Sequence, residues 1–138
     1  MRTIGLCTLL CALLFSGCDR TYRVIEEVRA PDGGHRAVVF TTDGQGVGSS
    51  LHTSVSVLGS GRSKLGWPPN AFTATHGPEP TPAGPFFGPK VSVRWLAADT
   101  VEITFDPRAS ALRQRPEVNG VQVRYRRALQ DSAAAASP

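Results

Sequence analysis

The residues able to do chemistry are few and scattered. Cysteines stand at 7, 11 and 18, and histidines at 35, 52 and 76. A zinc or catalytic metal site draws its ligands from short, fixed spacings such as His-Glu-x-x-His, and none occurs; no metal or cofactor is expected. Glu26 and Glu27 are adjacent in an alternating segment, so their carboxylates point to opposite sides and cannot share acid–base work. His52 lies among serines, but no serine occupies a Gly-x-Ser-x-Gly elbow, and a solvated sheet face is the expected setting. The glycine-rich run Asp43 to Ser50 suggests a phosphate cradle. It lacks both the Gly-Lys-Ser/Thr ending of a P-loop and the βαβ context of a dinucleotide fingerprint, so a hairpin connection is expected there. No catalytic residue is assigned, and the chain is expected not to be an enzyme.

One residue does carry a specific chemical expectation, and its neighbours supply it. Met1-Arg2-Thr3 is a short positive segment, followed by a twelve-residue, largely apolar segment from Ile4 to Phe15. As a helix that run spans about 18 Å, well short of the ~30 Å hydrocarbon core of a bilayer, so it reads as a secretory h-region. Ser16-Gly17-Cys18 then resembles the lipobox of bacterial lipoproteins, with Phe15 where leucine is preferred. The resemblance implies lipidation of the Cys18 sulfur, cleavage before it and acylation of the new amine. Two or three acyl chains, at about 0.8 kcal/mol per buried methylene, anchor a protein to a membrane durably. Asp19 resembles the inner-membrane retention signal of enteric bacteria, which implies a location on the periplasmic side of the inner membrane. Only Asp19-Arg20-Thr21 separate the cysteine from the first expected strand, a tether of roughly 10–14 Å when extended.

Length and composition agree with a small exported domain. Removing residues 1–17 from the 138 takes away Cys7, Cys11 and Arg2, and the formal charge falls by one from +4 to +3. With Cys18 alone remaining, no internal disulfide is available. The basic residues are spread along strands, without a dense run or aromatic interleaving, so nucleic acid is not an expected partner.

The remainder alternates with the period of strands. Tyr22 to Arg29 and His35 to Thr42 flank Pro31-Asp32-Gly33-Gly34, a turn sequence, and are expected to pair as a hairpin. Leu51 to Leu58 alternates cleanly, with Leu51, Thr53, Val55 and Val57 on a buried face and His52, Ser54 and Ser56 on the other. Residues 59–89 hold most of the prolines together with Trp67, Phe72, Phe86 and Phe87, and are expected to fold over the sheet as a lid on the core. Within them, Asn70 to Thr75 forms an expected edge strand. Lys90 to Phe105 gives the strongest signal: a three-residue loop Ala97-Ala98-Asp99 pairs Trp95 with Val101, Val93 with Ile103 and Val91 with Phe105, and sets Arg94 opposite Glu102. Ala109 to Leu112 is read as one helical turn, Asn119-Gly120 as a hairpin turn, and Val121 to Arg126 as a last strand. The expectation is a mainly β domain, a single small antiparallel sheet or sandwich of about six to seven strands with a long proline-rich loop. Its organisation is residues 1–17 as signal peptide, 18–21 as lipidated cysteine and tether, 22–127 as the β domain and 128–138 as a disordered tail.

Four segments resemble, in order, a family of small bacterial lipoproteins without an assigned activity. These are Pro31 to Phe40, the glycine-rich loop with its following strand, Val91 to Leu96, and Val118 to Tyr125. The family carries a Ser-Pro-Asp-Gly-Lys turn, a Val-x-Val-x-Trp hairpin and a closing Val-Asn-Gly strand; here Ala30 and Gly34 replace its serine and lysine. The resemblance spans about residues 22–127 and implies a fold rather than an activity.

The function expected is therefore a membrane-anchored envelope lipoprotein acting as a non-catalytic binding or adaptor module for an envelope protein or polymer. Its candidate surface is Arg94, Arg124 and Arg126. The alternatives are a small-ligand carrier using the 59–89 loop, distinguished by an apolar pocket of at least ~300 Å³ beneath it, and an enzyme.

Overall fold

The computed structural model describes residues 22–42, 51–61, 64–66 and 68–130. The expected signal peptide, Cys18 with its tether, the 43–50 loop, Trp67 and residues 131–138 lie outside them. The fold is mainly β, with nine strands in two sheets.

The first sheet contains β1 (Tyr22–Arg29), β2 (His35–Thr42), β3 (His52–Gly59), β4 (Phe72–Thr75) and β7 (Ser110–Gln114), in the order β1-β2-β3-β4-β7. The second contains β5 (Val91–Ala97), β6 (Thr100–Phe105), β8 (Glu117–Val118) and β9 (Val121–Arg127), in the order β5-β6-β9-β8. Inward residues of both sheets form one shared core. Ala37, Val39, Val55, Val57 and Phe72 come from the first sheet; Val93, Val101, Ile103, Phe105 and Val123 come from the second.

Local chemistry accounts for most of the elements. Gly33 adopts φ 72° in the β1–β2 turn, where its N–H donates to Ala30 O and the Asp32 carboxylate accepts from Gly34 N–H. Ile25 interrupts the alternation of β1 because it is the extra residue of a bulge between Val24 and Glu26, which turns it onto the core. The β5–β6 hairpin has the expected register, Arg94 opposite Glu102 included, but a bulge at Leu96 pairs Ala97 with Thr100 and shortens the loop by one residue. Asn119 and Gly120, at φ 52° and 78°, join β8 to β9 as a two-residue turn.

Several expectations are corrected. Ser54 and Ser56 do not lie on a solvated face: both are buried, because Leu65 and Asn70, which follow β3, lie against that side of the sheet. Leu65 packs there on Val38, Phe40 and Leu58, while Asn70 N–H donates to Ser56 Oγ and the Asn70 side chain pairs with both backbone groups of Val57. β2 is thus covered on both sides, which explains its unbroken apolar run. β4 is an interior strand rather than an edge, since β7 pairs along its outer side. The same pairing makes residues 110–114 a strand and replaces the expected helical turn at Ala109 to Leu112. Finally, β9 runs parallel to β6, so the second sheet is mixed.

Two aromatic side chains tie the sheets together through their polar tips. Trp95 Nε1–H donates to Val28 O at 2.9 Å, joining β5 to β1. Tyr125 stacks on Phe72 and places its hydroxyl 2.7 Å from Arg115 O and 3.1 Å from Ala71 O, joining β9 to the far side of the first sheet. Burial pushes the Tyr125 hydroxyl up to about 12, against the opposing pull of the Arg115 hydrogen bond. The unfolded phenol ionises near its ordinary value of 10.0, so the contribution of the neutral hydroxyl is complete below pH 10 and is lost as pH rises through about 12. Tyr125→Phe is therefore expected to lower stability by about 1 kcal/mol at pH 7, and the gap from wild type should narrow between pH 10 and 12, as read from urea midpoints.

Candidate functional site

The expected surface residues are brought together by the β6–β9 pairing. Arg94 pairs with Glu102 and Glu102 with Arg124, so two arginines flank one carboxylate in a row across three strands. Ser92, Thr104 and Arg126 form the next row. Neighbouring strands lie about 4.8 Å apart, which spaces Arg94 and Arg124 by about 10 Å at the backbone. Arg94 Nη2 donates to Glu102 Oε1 at 2.9 Å; the arginine side chain is 64% exposed and the glutamate 16%. An ion pair this open contributes a few tenths of a kcal/mol, so it shapes the surface more than it stabilises the fold. Arg124 and Arg126 are exposed, and the face as a whole presents planar guanidinium forks suited to carboxylate or phosphate oxygens.

The three histidines do not converge on one role. His35 begins β2 and tilts against the Trp95 ring at 6.5 Å, and His52 begins β3. His76 follows β4, and its ring bridges Thr81 Oγ1 at 2.6 Å and Phe87 O at 2.7 Å. With Nε2–H donating to the Phe87 carbonyl, Nδ1 accepts from the Thr81 hydroxyl. Among the described residues, no three His, Cys, Asp or Glu side chains group as a metal site.

What His76 holds is a small hairpin that the sequence reading did not single out. Ala83 bridges Pro89, Gly84 N–H donates to Gly88 O, and Phe87 N–H donates to Gly84 O. Pro85, Phe86 and Phe87 form its three-residue loop: a type I turn with proline at its favoured position, then a left-handed residue. The left-handed residue is Phe87, at φ 66°, where glycine is usual, and its side chain is 73% exposed. Phe86 is half-buried, with the Arg23 guanidinium 5.4 Å from its ring centre. Pro89 O accepts from buried Thr53 Oγ1, and Gly88 passes so close to β3 that any side chain there would meet Thr53 and the His52 carbonyl. Residues 59–89 are therefore not one lid over the core. Leu65 seals the outer side of the first sheet, Phe72 is in the core itself, and Phe87 points away from both. Proline flanked by Gly84 and Gly88 was the available signal for this turn.

Beside the hairpin, Arg108 closes the end of the sandwich. Its guanidinium grips buried Asp106 with Nε at 2.8 Å and Nη2 at 2.7 Å, while its backbone N–H donates to the same carboxylate. These bonds hold the Asp106 carboxyl well below the usual carboxylate range and outweigh its burial.

The described residues contain no helix long and apolar enough to cross a membrane. Comparison with protein-family models, with curated proteins and with solved structures brought no match.

A bulky residue held left-handed costs about 1 kcal/mol, and an exposed ring returns little of it through packing. Phe87→Gly is accordingly expected to raise stability by about 0.5–1 kcal/mol, a gain of roughly 2–5 °C in Tm. A lower Tm would show that the Phe87 ring packs in solution.

Proposed function

We propose that the mature chain is a membrane-anchored envelope lipoprotein whose β domain is a non-catalytic binding or adaptor module, with Arg94, Arg124 and Arg126 as its contact surface for an acidic partner. The observation that carries this reading is the alignment of Arg94 and Arg124 across Glu102, with Arg126 in the adjoining row. These positions project from a sheet whose other side is committed to the core, so they are available without disturbing the fold. Phe72 stacks on Phe105 at 4.9 Å and on Tyr125 at 5.8 Å inside the sandwich, filling the centre of the core with rings, an arrangement that favours an adaptor over a carrier. The anchor is assigned to Cys18 from its sequence context.

Metabolic labelling with palmitate tests the anchor. Wild type should incorporate label and Cys18→Ser should not; equal labelling of the two removes the lipoprotein reading. The surface is tested by replacing Arg94, Arg124 and Arg126 together with glutamine. The triple variant should keep its Tm within about 1 °C, since exposed charges contribute little to stability, yet lose most of the adducts formed by carboxylate-directed crosslinking in native membranes. An unchanged adduct pattern would discard this face.

A further inference from the structure

The two sheets run their strands along a common direction, so the turns collect at two ends with different chemistry. At one end lie the start of β1, the end of β2, the start of β3, the end of β6 and the end of β9. The Phe86–Phe87 hairpin belongs to this end, since Phe86 meets Arg23 and Pro89 meets Thr53. So does Leu129, which follows the Ala128 N–H bonded to Phe105 O. Of the six exposed large apolar side chains among the described residues, four, Val24, Leu51, Phe87 and Leu129, sit at this end. Arg23, over the Phe86 ring, Arg127, over the Phe105 ring, and exposed Lys90 lie at the same end; Arg108 is engaged by Asp106, and Glu79 acts on Arg108. The opposite end is mixed in charge, with Asp32, Asp99 and Glu117 beside Arg29, Lys64 and Arg115.

Exposed apolar side chains and cations gathered at one end are the composition of a surface that enters the headgroup region of an anionic bilayer. Chain geometry points the same way. β1 begins at Tyr22, so the three residues between it and Cys18 tie the lipid to this end and leave the opposite end about 25 Å farther along the strands. The strained backbone of Phe87 gains a purpose in this setting, because His76 braces the loop that holds the ring outward.

We propose that this end is a second membrane contact, with Phe87 entering the interface of an anionic bilayer and the flanking basic residues meeting lipid phosphates. The domain then stands upright on the membrane instead of swinging on its tether. This rests on the anchor reading of Cys18 for the direction the domain faces.

The test uses the full chain, processed in cells, purified and reconstituted in vesicles of phosphatidylglycerol and phosphatidylethanolamine with or without bromine on the acyl chains. A thiol-reactive environment-sensitive fluorophore is placed at Phe87→Cys or at Asp99→Cys. The position-87 probe should lose severalfold more emission to brominated lipid than the position-99 probe. A second variant, Phe87→Gly with the probe at Leu51→Cys, keeps the turn and should quench less at position 51 than its Phe87 parent. Equal quenching at positions 87 and 99 overturns the proposal while leaving the anchor intact. A parent chain that itself takes the label has no lipid on Cys18, and then the anchor reading and the orientation built on it both fall.

Discussion

Everything in this domain depends on two sheets closing over one core that neither can fill alone. The contact is made by rings at its centre, Phe72 against Phe105 and Tyr125, with valines from β2, β3, β5, β6 and β9 around them. Apolar packing of this kind has no direction, so it does not by itself decide how one sheet is turned on the other. That decision falls to the polar tips of two aromatics. Trp95 reaches the Val28 carbonyl at one margin, and Tyr125 reaches the Ala71 and Arg115 carbonyls at the other. Each hydroxyl or indole N–H would be costly to bury unpaired, so a rotated sheet would lose these bonds as well as contact area.

The closure also explains the unusual position of β9. A two-residue turn pairs it with β8 on one side, and its other side completes the sheet by running parallel to β6. The chain reaches it by leaving the second sheet at Asp106, crossing to pair β7 with β4, and returning. The Asp106–Arg108 clamp stands at the departure point, and the Arg115 N–H bond to Ala71 O stands near the return. One consequence is functional geometry: only this parallel pairing puts Arg124 beside Glu102 and thus in line with Arg94.

Where neighbouring residues decided the outcome, the chain was readable in advance. The β5–β6 register followed from alternation because a slip would have put Arg94 and Glu102 into the core. Asn119-Gly120 and Pro31 to Gly34 were equally direct, since few other residues accept those backbone angles. Where distant chain decided, the signal was missing or misleading. Ser110 to Gln114 is built of good helix formers and becomes a strand only because β4 offers it an open side. Ser54 and Ser56 looked solvated because nothing local announces that Leu65 and Asn70 will lie over that side. The arginine face was half legible: the outward positions were evident, whereas their alignment needed a parallel partner that no local pattern encodes. Phe87 was read as apolar weight for the core, and its left-handed backbone turns it outward instead.

The two proposed surfaces fit one posture of the molecule. With the Phe87 end on the bilayer, the arginine face stands on edge, since its strands run away from the membrane. Arg126 lies one residue from the Arg127–Phe105 pairing at that end, and Arg94 and Arg124 sit one row farther out, about 7 Å away. In that proposed posture the face would look sideways along the bilayer rather than away from it. A partner confined to the same membrane would meet it at a high effective concentration, so a weak contact through a few guanidinium groups suffices where a freely diffusing partner would need a larger interface. The modest, patterned charge of this sheet is better matched to that lateral encounter than to capture of a soluble ligand. A three-residue spacer after a lipidated Cys18, as proposed, would serve the same end by holding the face near the bilayer.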